Sequence, residues 1–482
     1  MSLFKSLDSA FIDGEWIKSS DTSIFPVFNP ASLESITQVP NCTKNDAIKA
    51  IESAKIAFRN HAKTSAFERS NWLMQWYTAI EDNKAALAEL VTQESGKPLA
   101  EAIAEVQYAA SFFQWFAESI KRPQGEIISP STTNKRLMTI KQPIGVVAGI
   151  TPWNFPIAML AKKVAPAIAA GCSFVLKPAA ETPLSALALA KLSKQTDLPK
   201  GLFNVVTSTH SADIGDVFTT HEFIKKITFT GSTEVGKKLL AQSADTIKST
   251  SMELGGNAPF IIFDDADLDT AVDGLMVSKF RNSGQTCVCA NRVFVHNALM
   301  EDFLQKLTDK VNLLSVGNGL DEGSTIGPLI NQNGFDKVAT LVQAAIEQGA
   351  TCLVGGKPHN KGGTYFEPTI LTGVTDSMAI TQTEIFGPVV PVLSFTDETD
   401  VIARANDTPY GLAAYFFSQN LNRVFRVSEQ LKAGIIGINE GMISHANVPF
   451  GGVKASGIGR EGADVGLEAY LETKSLCIGN VA

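Results

Sequence analysis

The stretch IGVVAGITPWNFPIAMLAKKVAPAIAAGCSFVLK, from Ile144 to Lys177, decides the fold. It begins with a β-branched run typical of a buried strand, continues as an apolar helix that Gly171 ends, and closes with a second strand. A strand, a helix and a strand joined by short connections form a βαβ unit with parallel strands. In such sheets ligands lie at the carboxyl ends of the strands. The loops after Ile150 and Lys177 are therefore expected to line a binding site.

The alternation of strands and helices continues to a helix that begins at Ser232, and a second α/β stretch starts near Ser251. The first third of the chain is predicted to be mainly helical, with Thr43 as an N-cap. The tail, EAYLETKSLCIGNV, predicts a terminal strand whose free edge suits pairing with another subunit. A chain of 482 residues predicts two or three domains.

The composition argues against several classes of protein. The net charge is −8 and no long basic run occurs, so neither nucleic acid nor a membrane surface is an expected partner. The amino terminus lacks the apolar core of a signal peptide. The most apolar window, 157–176, contains two lysines and a proline, which a membrane span would not tolerate. Six scattered cysteines indicate reduced thiols, and we expect a cytoplasmic protein.

Two glycine motifs resemble phosphate-binding loops. GSTEVGKK, from Gly231 to Lys238, has the glycine spacing of a Walker A loop, but Lys238 stands where magnesium requires Ser or Thr. An NTPase is therefore not predicted, although a helix start after a strand still offers N–H groups to a phosphate. GIGREG, at 457–462, matches the dinucleotide fingerprint but follows no strand, so a turn is expected there.

The stretch NSGQTCVCANR, at 282–292, places two cysteines side by side. Gly284 is expected to end a helix and leave Cys287 on a loop. A free thiol is mostly protonated at neutral pH, so Cys287 needs help to act as a nucleophile. If the pair bound a metal, further ligands at recognisable spacing would be required, and only His296 is near in sequence. No metal is therefore expected.

Two other positions could assist Cys287. Glu253 ends an apolar run before two glycines, where burial would raise the pKa of its carboxyl towards that of a working base. A solvent-exposed glutamate at a strand end is the alternative. Asn154 lies in the proline-bounded turn TPWNFP and could donate an amide N–H to an oxyanion. An ordinary turn asparagine is the alternative there.

Seven motifs, taken in order, resemble the aldehyde dehydrogenase superfamily, and within it the succinate-semialdehyde dehydrogenases. They are PWNFP (152–156), LKPAAETP (176–183), FTGSTEVG (229–236), MELGGNAPFIIF (252–263), KFRNSGQTCVCANR (279–292), EIFGPV (384–389) and PFGGVKASGIGREG (449–462). The resemblance implies an α/β protein with three parts. These are a Rossmann-like NAD(P)-binding domain of residues 1–120 and 144–253, an α/β catalytic domain of residues 254–450, and a small β oligomerisation arm of residues 121–143 and 464–482.

The resemblance also implies roles at matching positions. Cys287 matches the nucleophile and Glu253 the general base, while Asn154 and the Cys287 backbone N–H match the oxyanion hole. An aldehyde would be oxidised to an acid through a thiohemiacetal and a thioester, with NAD(P) as the redox cofactor. The positions that correspond to the cofactor site are Trp153, Lys177, Ala180, Gly231, Ser232, Leu254, Glu384 and Phe386.

The chain departs from the family pattern at Ala180. Members that prefer NAD usually carry there a glutamate that binds the adenosine ribose. The missing carboxylate removes repulsion against a 2′-phosphate, and Lys177 could pair with that phosphate. We therefore expect NADP as the cofactor, with NAD as the alternative.

A second departure concerns the substrate. Arg281 and Ser444 match residues that bind a substrate carboxylate, but Lys162 replaces a second arginine and lacks its bidentate fork. Succinate semialdehyde is the expected substrate, and glutarate semialdehyde or another ω-carboxy or aliphatic aldehyde is the alternative. Lys162 could also be a helix lysine that faces solvent.

Three further expectations complete the prediction. Cys289 could form a reversible disulfide with Cys287 under oxidation, with a small packing residue as the alternative. A binding protein of this fold without catalysis would be expected to lack Cys287, Glu253 or Asn154, and all three are present. The resemblance and the tail together favour a homodimer or a homotetramer.

Overall fold

The computed structural model of the protein describes residues 7–122 and 125–481. It confirms the α/β architecture, with two large sheets flanked by helices and two smaller antiparallel sheets. Residues 1–6, 123, 124 and 482, which the predicted domain ranges include, lie outside the described residues. The domain boundaries stay a prediction.

The elements of the amino-terminal half precede Leu254. Its strands are β1 (Ala10–Ile12), β2 (Glu15–Ile17), β3 (Ile24–Phe28), β4 (Ser35–Pro40), β5 (Ile127–Ile128), β6 (Lys135–Pro143), β7 (Val146–Ile150), β8 (Ser173–Lys177), β9 (Phe203–Val205), β10 (Ile224–Thr230) and β11 (Ser249–Glu253). Its helices are α1 (Lys44–His61), α2 (Ala66–Asp82), α3 (Lys84–Ser95), α4 (Leu99–Ser119), α5 (Pro156–Ala170), α6 (Pro183–Ser193), α7 (Ser211–Thr220) and α8 (Thr233–Ser243).

The elements of the carboxyl-terminal half follow Leu254. Its strands are β12 (Ala258–Ile262), β13 (Ala290–His296), β14 (Thr351–Val354), β15 (Thr369–Thr372), β16 (Val389–Phe395), β17 (Ala413–Phe417), β18 (Ile435–Ile438), β19 (Gly457–Ile458) and β20 (Leu471–Gly479). Its helices are α9 (Leu268–Phe280), α10 (Met300–Val311), α11 (Gln332–Glu347), α12 (Ala379–Gln382), α13 (Glu398–Asn406), α14 (Leu421–Gln430) and α15 (Ala463–Glu468).

The first large sheet has the strand order β19-β11-β10-β7-β8-β9-β1-β2. Its central strands are parallel, and β7 pairs with β8 from Val146 opposite Ser173 to Ile150 opposite Lys177. Helix α5 connects these two strands, so the predicted βαβ unit is confirmed. Every side chain of α5 is buried, which explains the apolar window 157–176 without a membrane. No described helix is both long and apolar enough to cross one.

The second large sheet has the strand order β14-β15-β16-β13-β12-β17-β18 and is parallel except for the edge strand β14. The central strands β12, β13 and β17 are mostly apolar and buried on both faces, as parallel strands covered by helices must be. The stretch MELGGNAPFIIF contributes to two strands. Strand β11 ends at Glu253 in the first sheet, and β12 begins at Ala258 in the second. The chain therefore crosses between the sheets directly after Glu253.

The expectation of a mainly helical first third is wrong for residues 10–40. Strands β1 and β2 extend the first sheet, and β3 pairs with β4 in a hairpin. Strands of three residues show too little periodicity to be recognised. Strand β1 owes its place to pairing with β9, far along the chain. The predicted N-cap at Thr43 is confirmed, and its side chain accepts a hydrogen bond from the Asp46 N–H.

The terminal strand predicted from the tail is also confirmed. Strand β20 pairs antiparallel with β6 over nine residue pairs, from Leu471 opposite Pro143 to Gly479 opposite Lys135. Strand β5 completes a three-stranded sheet, in which β20 is an edge strand. Large apolar side chains of this sheet, Ile127, Ile128 and Ile478, are exposed. An exposed edge with apolar side chains is suited to pairing with another chain.

Candidate active site

A cavity of about 890 Å³ is lined by the loops after β7, β10 and β11 and by loops of the second half of the chain. Ten of the predicted site residues line it: Trp153, Asn154, Gly231, Ser232, Leu254, Arg281, Cys287, Glu384, Phe386 and Ser444. The other five, Glu253, Lys162, Lys177, Ala180 and Cys289, lie outside the lining. The loop after Ile150 therefore reaches the cavity as predicted, whereas Lys177 does not.

Cys287 lies in a turn on the cavity wall, with its side chain partly exposed. Helix α9 ends at Phe280, earlier than the expected stop at Gly284, because Asn282 and Ser283 adopt left-handed backbone conformations. A Cβ at Gly256 would collide with the Cys287 carbonyl oxygen, so the crossing between the sheets packs against this turn. Burial raises the pKa of the Cys287 thiol to about 12, and the charge of Lys162 opposes that rise.

Glu253 ends strand β11 immediately before Leu254, which lines the cavity. Its side chain is buried, and neither carboxylate oxygen has a hydrogen-bond partner among the residues described. Burial and, next, the charge of Glu461 raise the pKa of Glu253 well above its usual value. A carboxylate without partners beside a cavity is one that can accept a proton from a ligand or a water. The solvent-exposed alternative is excluded.

Glu461 is a second carboxylate close to Glu253, and its surroundings shift its pKa in the opposite direction. It is also buried, but it contacts both Lys163 and Lys162, the latter at 3.4 Å between Nζ and Oε2. Burial acts to raise its pKa, yet the two ammonium groups outweigh burial and lower it. Two neighbouring carboxylates whose environments drive their pKa values apart take different roles. Glu461 stays charged, and Glu253 is the group that can be protonated.

Lys162 does not occupy the place expected of a substrate-binding residue. Its ammonium is buried between Glu461 and the ring of Phe450, 3.4 Å from the ring centroid, and it makes no hydrogen bond with the described residues. Phe450 lines the cavity and Lys162 does not, so the ring separates the ammonium from the cavity. The assignment of Lys162 as a contact of the substrate carboxylate stays a prediction, which its pairing with Glu461 does not favour. The solvent-facing alternative is excluded, because the side chain is fully buried.

Asn154 is held by its backbone and by its side chain. Its carbonyl oxygen accepts hydrogen bonds from Lys97 Nζ at 2.6 Å and from Asn282 Nδ2 at 3.0 Å. Its amide Nδ2 donates to the Gln285 carbonyl oxygen at 3.0 Å, which places this amide beside the Cys287 turn. Lys97 is itself paired with Glu105 in a fully buried ion pair. The side chain of Asn154 thus lies close to the turn that carries Cys287, and its role as an oxyanion donor stays a prediction.

Arg281 provides a cation on the cavity wall. Its side chain is partly buried and has no ion-pair partner within 4.0 Å in the described ranges; its Nε makes no hydrogen bond. The guanidinium contacts Met442 Sδ at 3.0 Å and lies 5.2 Å from the centroid of the Phe155 ring. A buried cation with an unused donor is costly unless an anion pairs with it. This position can therefore bind an anionic group of a ligand.

Two hydroxyl groups and a carboxyl group surround Arg281 on the same wall. Ser444 and Tyr108 both line the cavity. The Tyr108 hydroxyl has no hydrogen-bond partner among the described residues. Glu101 also lines it and accepts a hydrogen bond from the Asn282 N–H at 2.7 Å. Burial raises the pKa of Glu101 to about 7. At neutral pH this carboxyl is partly protonated and cannot fully neutralise Arg281.

The predicted cofactor contacts form another part of the wall. The Trp153 ring meets the Phe386 ring edge-on at 5.5 Å. Glu384 is partly buried and accepts a hydrogen bond from the Gly256 N–H at 3.0 Å, and desolvation raises its pKa to about 7. Ser232 is the N-cap of α8, whose first turn opens on the cavity with Gly231. Free N–H groups at a helix start suit a phosphate, so these residues fit a dinucleotide.

Lys177 and Ala180 lie further from the cavity. Lys177 ends strand β8, and its buried ammonium donates to the Pro178 carbonyl oxygen at 3.1 Å. Burial lowers the pKa of Lys177 to about 8, against the opposing charge of Glu181. An anion close to Lys177 would stabilise its charged form and raise this pKa. Ala180 is partly buried against the hydrophobic core formed by helices of the amino-terminal half. Its methyl side chain provides no carboxylate at this position.

Cys289 is buried on the far side of Val288, which lines the cavity. Its thiol contacts the carbonyl oxygens of Lys279 and Ala290 and is free, as are all six cysteines. A bond to Cys287 would require the turn to rearrange. Among the described residues no group of three His, Cys, Asp or Glu side chains converges as a metal site would require.

Five residues of the site region were not among the predicted site residues: Glu461, Asn282, Tyr108, Glu101 and Glu105. Three of them share one face of α4, at spacings of four and three residues, within a helix that is otherwise mostly apolar. A polar stripe on a buried face was the available signal, since buried polar groups need partners. Glu461 lies in GIGREG, which was expected to be only a turn. The structure pairs Gly457 and Ile458 of that motif with β11, which brings Glu461 close to Glu253.

The geometry agrees with comparisons to known proteins. Residues 16–476 match the model of the aldehyde dehydrogenase family. The chain is 51% identical over 470 residues to the succinate-semialdehyde dehydrogenase [NADP(+)] GabD of Escherichia coli, covering 98% of this chain and 97% of that protein. It is 50% identical over 472 residues to a glutarate-semialdehyde dehydrogenase of Pseudomonas aeruginosa, covering 98% of both. The crystal structure of succinate-semialdehyde dehydrogenase from Burkholderia pseudomallei superposes with a TM-score of 0.97 at 48% identity, covering 98% of each chain.

Proposed function

Since the chain belongs to the aldehyde dehydrogenase family, we propose that it oxidises an aldehyde with a terminal carboxylate, succinate semialdehyde in the first place, to the acid. The observation that carries this choice of substrate is Arg281. Its guanidinium lies on the wall of the cavity that contains Cys287, without an ion-pair partner in the described parts of the chain. A substrate whose aldehyde reaches Cys287 while its far end carries an anion would supply that partner.

The first step is the addition of Cys287 to the aldehyde. The thiol loses its proton, the sulfur forms a bond to the carbonyl carbon, and the carbonyl electron pair moves to the oxygen. With a pKa of about 12 the resting thiol is protonated, so a base must take the proton as the bond forms. Glu253 is the candidate, because its unpartnered carboxylate has a raised pKa. The Asn154 amide and the Cys287 backbone N–H would stabilise the oxyanion.

The oxyanion then collapses to a thioester on Cys287. When NAD(P) is bound, its nicotinamide supplies the two-electron redox chemistry by accepting the hydride. Trp153, Glu384, Phe386 and the start of α8 would hold the cofactor against the cavity wall. Glu253, once it has released the thiol proton to solvent, accepts a proton from water, whose oxygen adds to the thioester carbon. The Cys287 sulfur leaves as thiolate, and the acid is released.

The preference for NADP is part of the proposal. It is supported by the absence of a carboxylate at Ala180 and by the buried ammonium of Lys177 nearby, whose pKa is lowered to about 8. A 2′-phosphate would meet attraction from Lys177 and no repulsion from residue 180. NAD remains the alternative cofactor. A metal plays no part in the proposal.

Glutarate semialdehyde is the second candidate substrate, favoured by the position of Lys162. Because that ammonium contacts Glu461 behind Phe450, Arg281 is left as the cation of this end of the cavity. One flexible cation defines the distance between aldehyde and carboxylate less strictly than two would. A chain with one further carbon could still reach Arg281.

The assembly and the location of the protein are proposed as follows. The exposed edge of β20 and the apolar side chains of its sheet support a homodimer or a homotetramer. Free thiols at all six cysteines support a reducing compartment, the cytoplasm.

The test is a comparison of kcat/KM for succinate semialdehyde, glutarate semialdehyde and uncharged butanal, each with NADP and with NAD. The proposal expects the highest value for succinate semialdehyde with NADP, and a carboxylate preference of about tenfold or more, the size of one hydrogen-bonded charge pair. Equal values for butanal and for both semialdehydes would contradict the proposed substrate class. A clear preference for NAD would contradict the cofactor assignment alone.

A further inference from the structure

Two consecutive residues before the Cys287 turn adopt left-handed backbone conformations. Asn282 has φ 51° and ψ 37°, and Ser283 has φ 55° and ψ 32°. Residues other than glycine rarely occupy this region, although asparagine tolerates it better than most. Such conformations persist where surrounding contacts impose them, often close to functional sites. Both residues are buried, so the contacts that impose the conformation can be identified.

The Asn282 side chain connects two parts of the candidate site. Its Nδ2 donates to the Asn154 carbonyl oxygen at 3.0 Å and to the Gln285 carbonyl oxygen at 3.2 Å. Its carbonyl oxygen accepts from both the backbone N–H and the Nε2 of Gln285. Its own N–H donates to Glu101 on helix α4 at 2.7 Å. Asn282 therefore links α4, the Asn154 turn and the Cys287 turn.

The Gln285 carbonyl oxygen is the point at which these contacts meet. It accepts one hydrogen bond from the Asn154 amide and one from the Asn282 amide. The next peptide groups along the chain lead directly to the Cys287 backbone N–H. Asn282 thus connects the two donors expected to form the oxyanion hole, although it does not itself line the cavity.

We propose that Asn282 is a positioning residue that fixes the separation between the Asn154 amide and the Cys287 backbone N–H. Both donors then converge on the oxyanion when the Cys287 adduct forms. The inference rests on the proposed roles of Asn154 and Cys287. An oxyanion hole works because its donors are in place before charge develops, so looser positioning lowers kcat more than it weakens substrate binding.

Two substitutions separate this role from a purely structural one. Asn282→Gly suits the left-handed conformation and removes the amide. Asn282→Asp keeps the shape but places an oxygen opposite two carbonyl oxygens. The matched control is Ser283→Gly, which relieves the same conformation one residue later; its hydroxyl bonds the Gly327 carbonyl oxygen, away from Asn154.

The experiment measures steady-state kcat and KM for the aldehyde, and separately the rate at which iodoacetamide alkylates Cys287. Alkylation uses the same sulfur but forms no oxyanion, so it reports whether the turn is intact. For Asn282→Gly we expect kcat to fall about tenfold to a hundredfold, somewhat less than the loss of a donor itself, with alkylation and KM within about threefold of the parent. Asn282→Asp should lose more, and Ser283→Gly should keep kcat within about threefold.

Three results would overturn the inference. These are an unchanged kcat in Asn282→Gly, a parallel loss of kcat and alkylation in that variant, or an equal loss of kcat in Ser283→Gly. An Asn154→Ala variant distinguishes this from failure of the proposed mechanism. If Asn154→Ala turns over like the parent, the oxyanion role of Asn154 is wrong. If Asn154→Ala is slow while Asn282→Gly is not, only the positioning role is wrong.

Discussion

The Lys162 ammonium lies 3.4 Å from a carboxylate oxygen of Glu461, and both side chains are buried behind the cavity wall. This ion pair joins a residue of helix α5 to the loop after strand β19. It holds the Lys162 ammonium against the Phe450 ring and beside the carboxylate that neighbours Glu253. The charge of Lys162 thus lowers the pKa of Glu253, the proposed base.

Replacing Lys162 by Met should shift the pH dependence of activity. The charge of Lys162 lowers the pKa of Glu253, so removing that charge raises this pKa further. Glu253 acts as a base only when ionised, and activity rises with pH through its pKa. The acid limb of the kcat profile should therefore move to higher pH, whereas Lys162→Arg should leave it close to the parent.

The same variant separates the two roles considered for Lys162. The ratio of kcat/KM for succinate semialdehyde to that for butanal should stay within about twofold of the parent, because the ammonium does not line the cavity. A ratio that collapses in Lys162→Met without a shift of the acid limb would restore the substrate-binding role.

Arg281→Met should remove the selectivity for a charged substrate. Loss of a hydrogen-bonded partner of a carboxylate costs about 1.5–3 kcal/mol, or roughly tenfold to a hundredfold in kcat/KM for the semialdehyde. The value for butanal should change little, which makes butanal the internal control. A uniform loss for both aldehydes would indicate damage to the Cys287 turn, since Arg281 lies directly before Asn282.

Glu253→Gln should slow both proton transfers assigned to this base, the one during addition of Cys287 and the one during hydrolysis of the thioester. Without the base, water attacks the thioester slowly, and steady-state turnover should fall by about 10²–10⁴-fold. If another group can deprotonate Cys287, one equivalent of reduced cofactor should still appear in a rapid phase. Mass spectrometry of the quenched enzyme should then detect the acyl group on Cys287. Rapid steady-state turnover by this variant would contradict the assignment of Glu253.

The sequence was sufficient for the elements whose signals are local. The βαβ unit around α5, the cap at Thr43 and the terminal strand β20 all follow from periodicity and end signals, and the structure contains them. Strands β1 and β2 could not be found that way, because they are three residues long and β1 pairs with the distant β9. The ordered motifs predicted which residues would lie on the cavity wall.

The electrostatic partners could not be read from the sequence. Glu461 lies more than two hundred positions after Glu253, and nothing in GIGREG indicates that its glutamate is buried. Whether Lys162 points into the cavity or behind it depends on the packing of Phe450 and Glu461 around a fully buried helix. Periodicity identifies the buried face of a helix, whereas it does not choose between two buried directions.

Ala180→Glu should move the cofactor preference towards NAD. A carboxylate at this position would repel a 2′-phosphate and could accept hydrogen bonds from a free ribose, while Lys177 would lose part of its effect on the phosphate. The ratio of kcat/KM for NADP to that for NAD should fall by about tenfold or more, the consequence of a like-charge contact of roughly 1.4 kcal/mol. Ala179→Glu, one position earlier, tests whether the effect requires this site or only added negative charge.

Cys289→Ala tests the hypothesis of a Cys287–Cys289 disulfide. Because the Cys289 thiol is buried, the turn must rearrange before that bond can form. If the turn can rearrange, peroxide should inactivate the parent reversibly through a Cys287–Cys289 disulfide, and dithiothreitol should restore its activity. Cys289→Ala would then lose activity without full recovery, because its Cys287 sulfenic acid has no neighbouring thiol to trap it and oxidises further. Cys352→Ala, which removes a partly buried thiol elsewhere, is the matched control. Equal inactivation and equal recovery of the parent and Cys289→Ala would leave Cys289 as a packing residue.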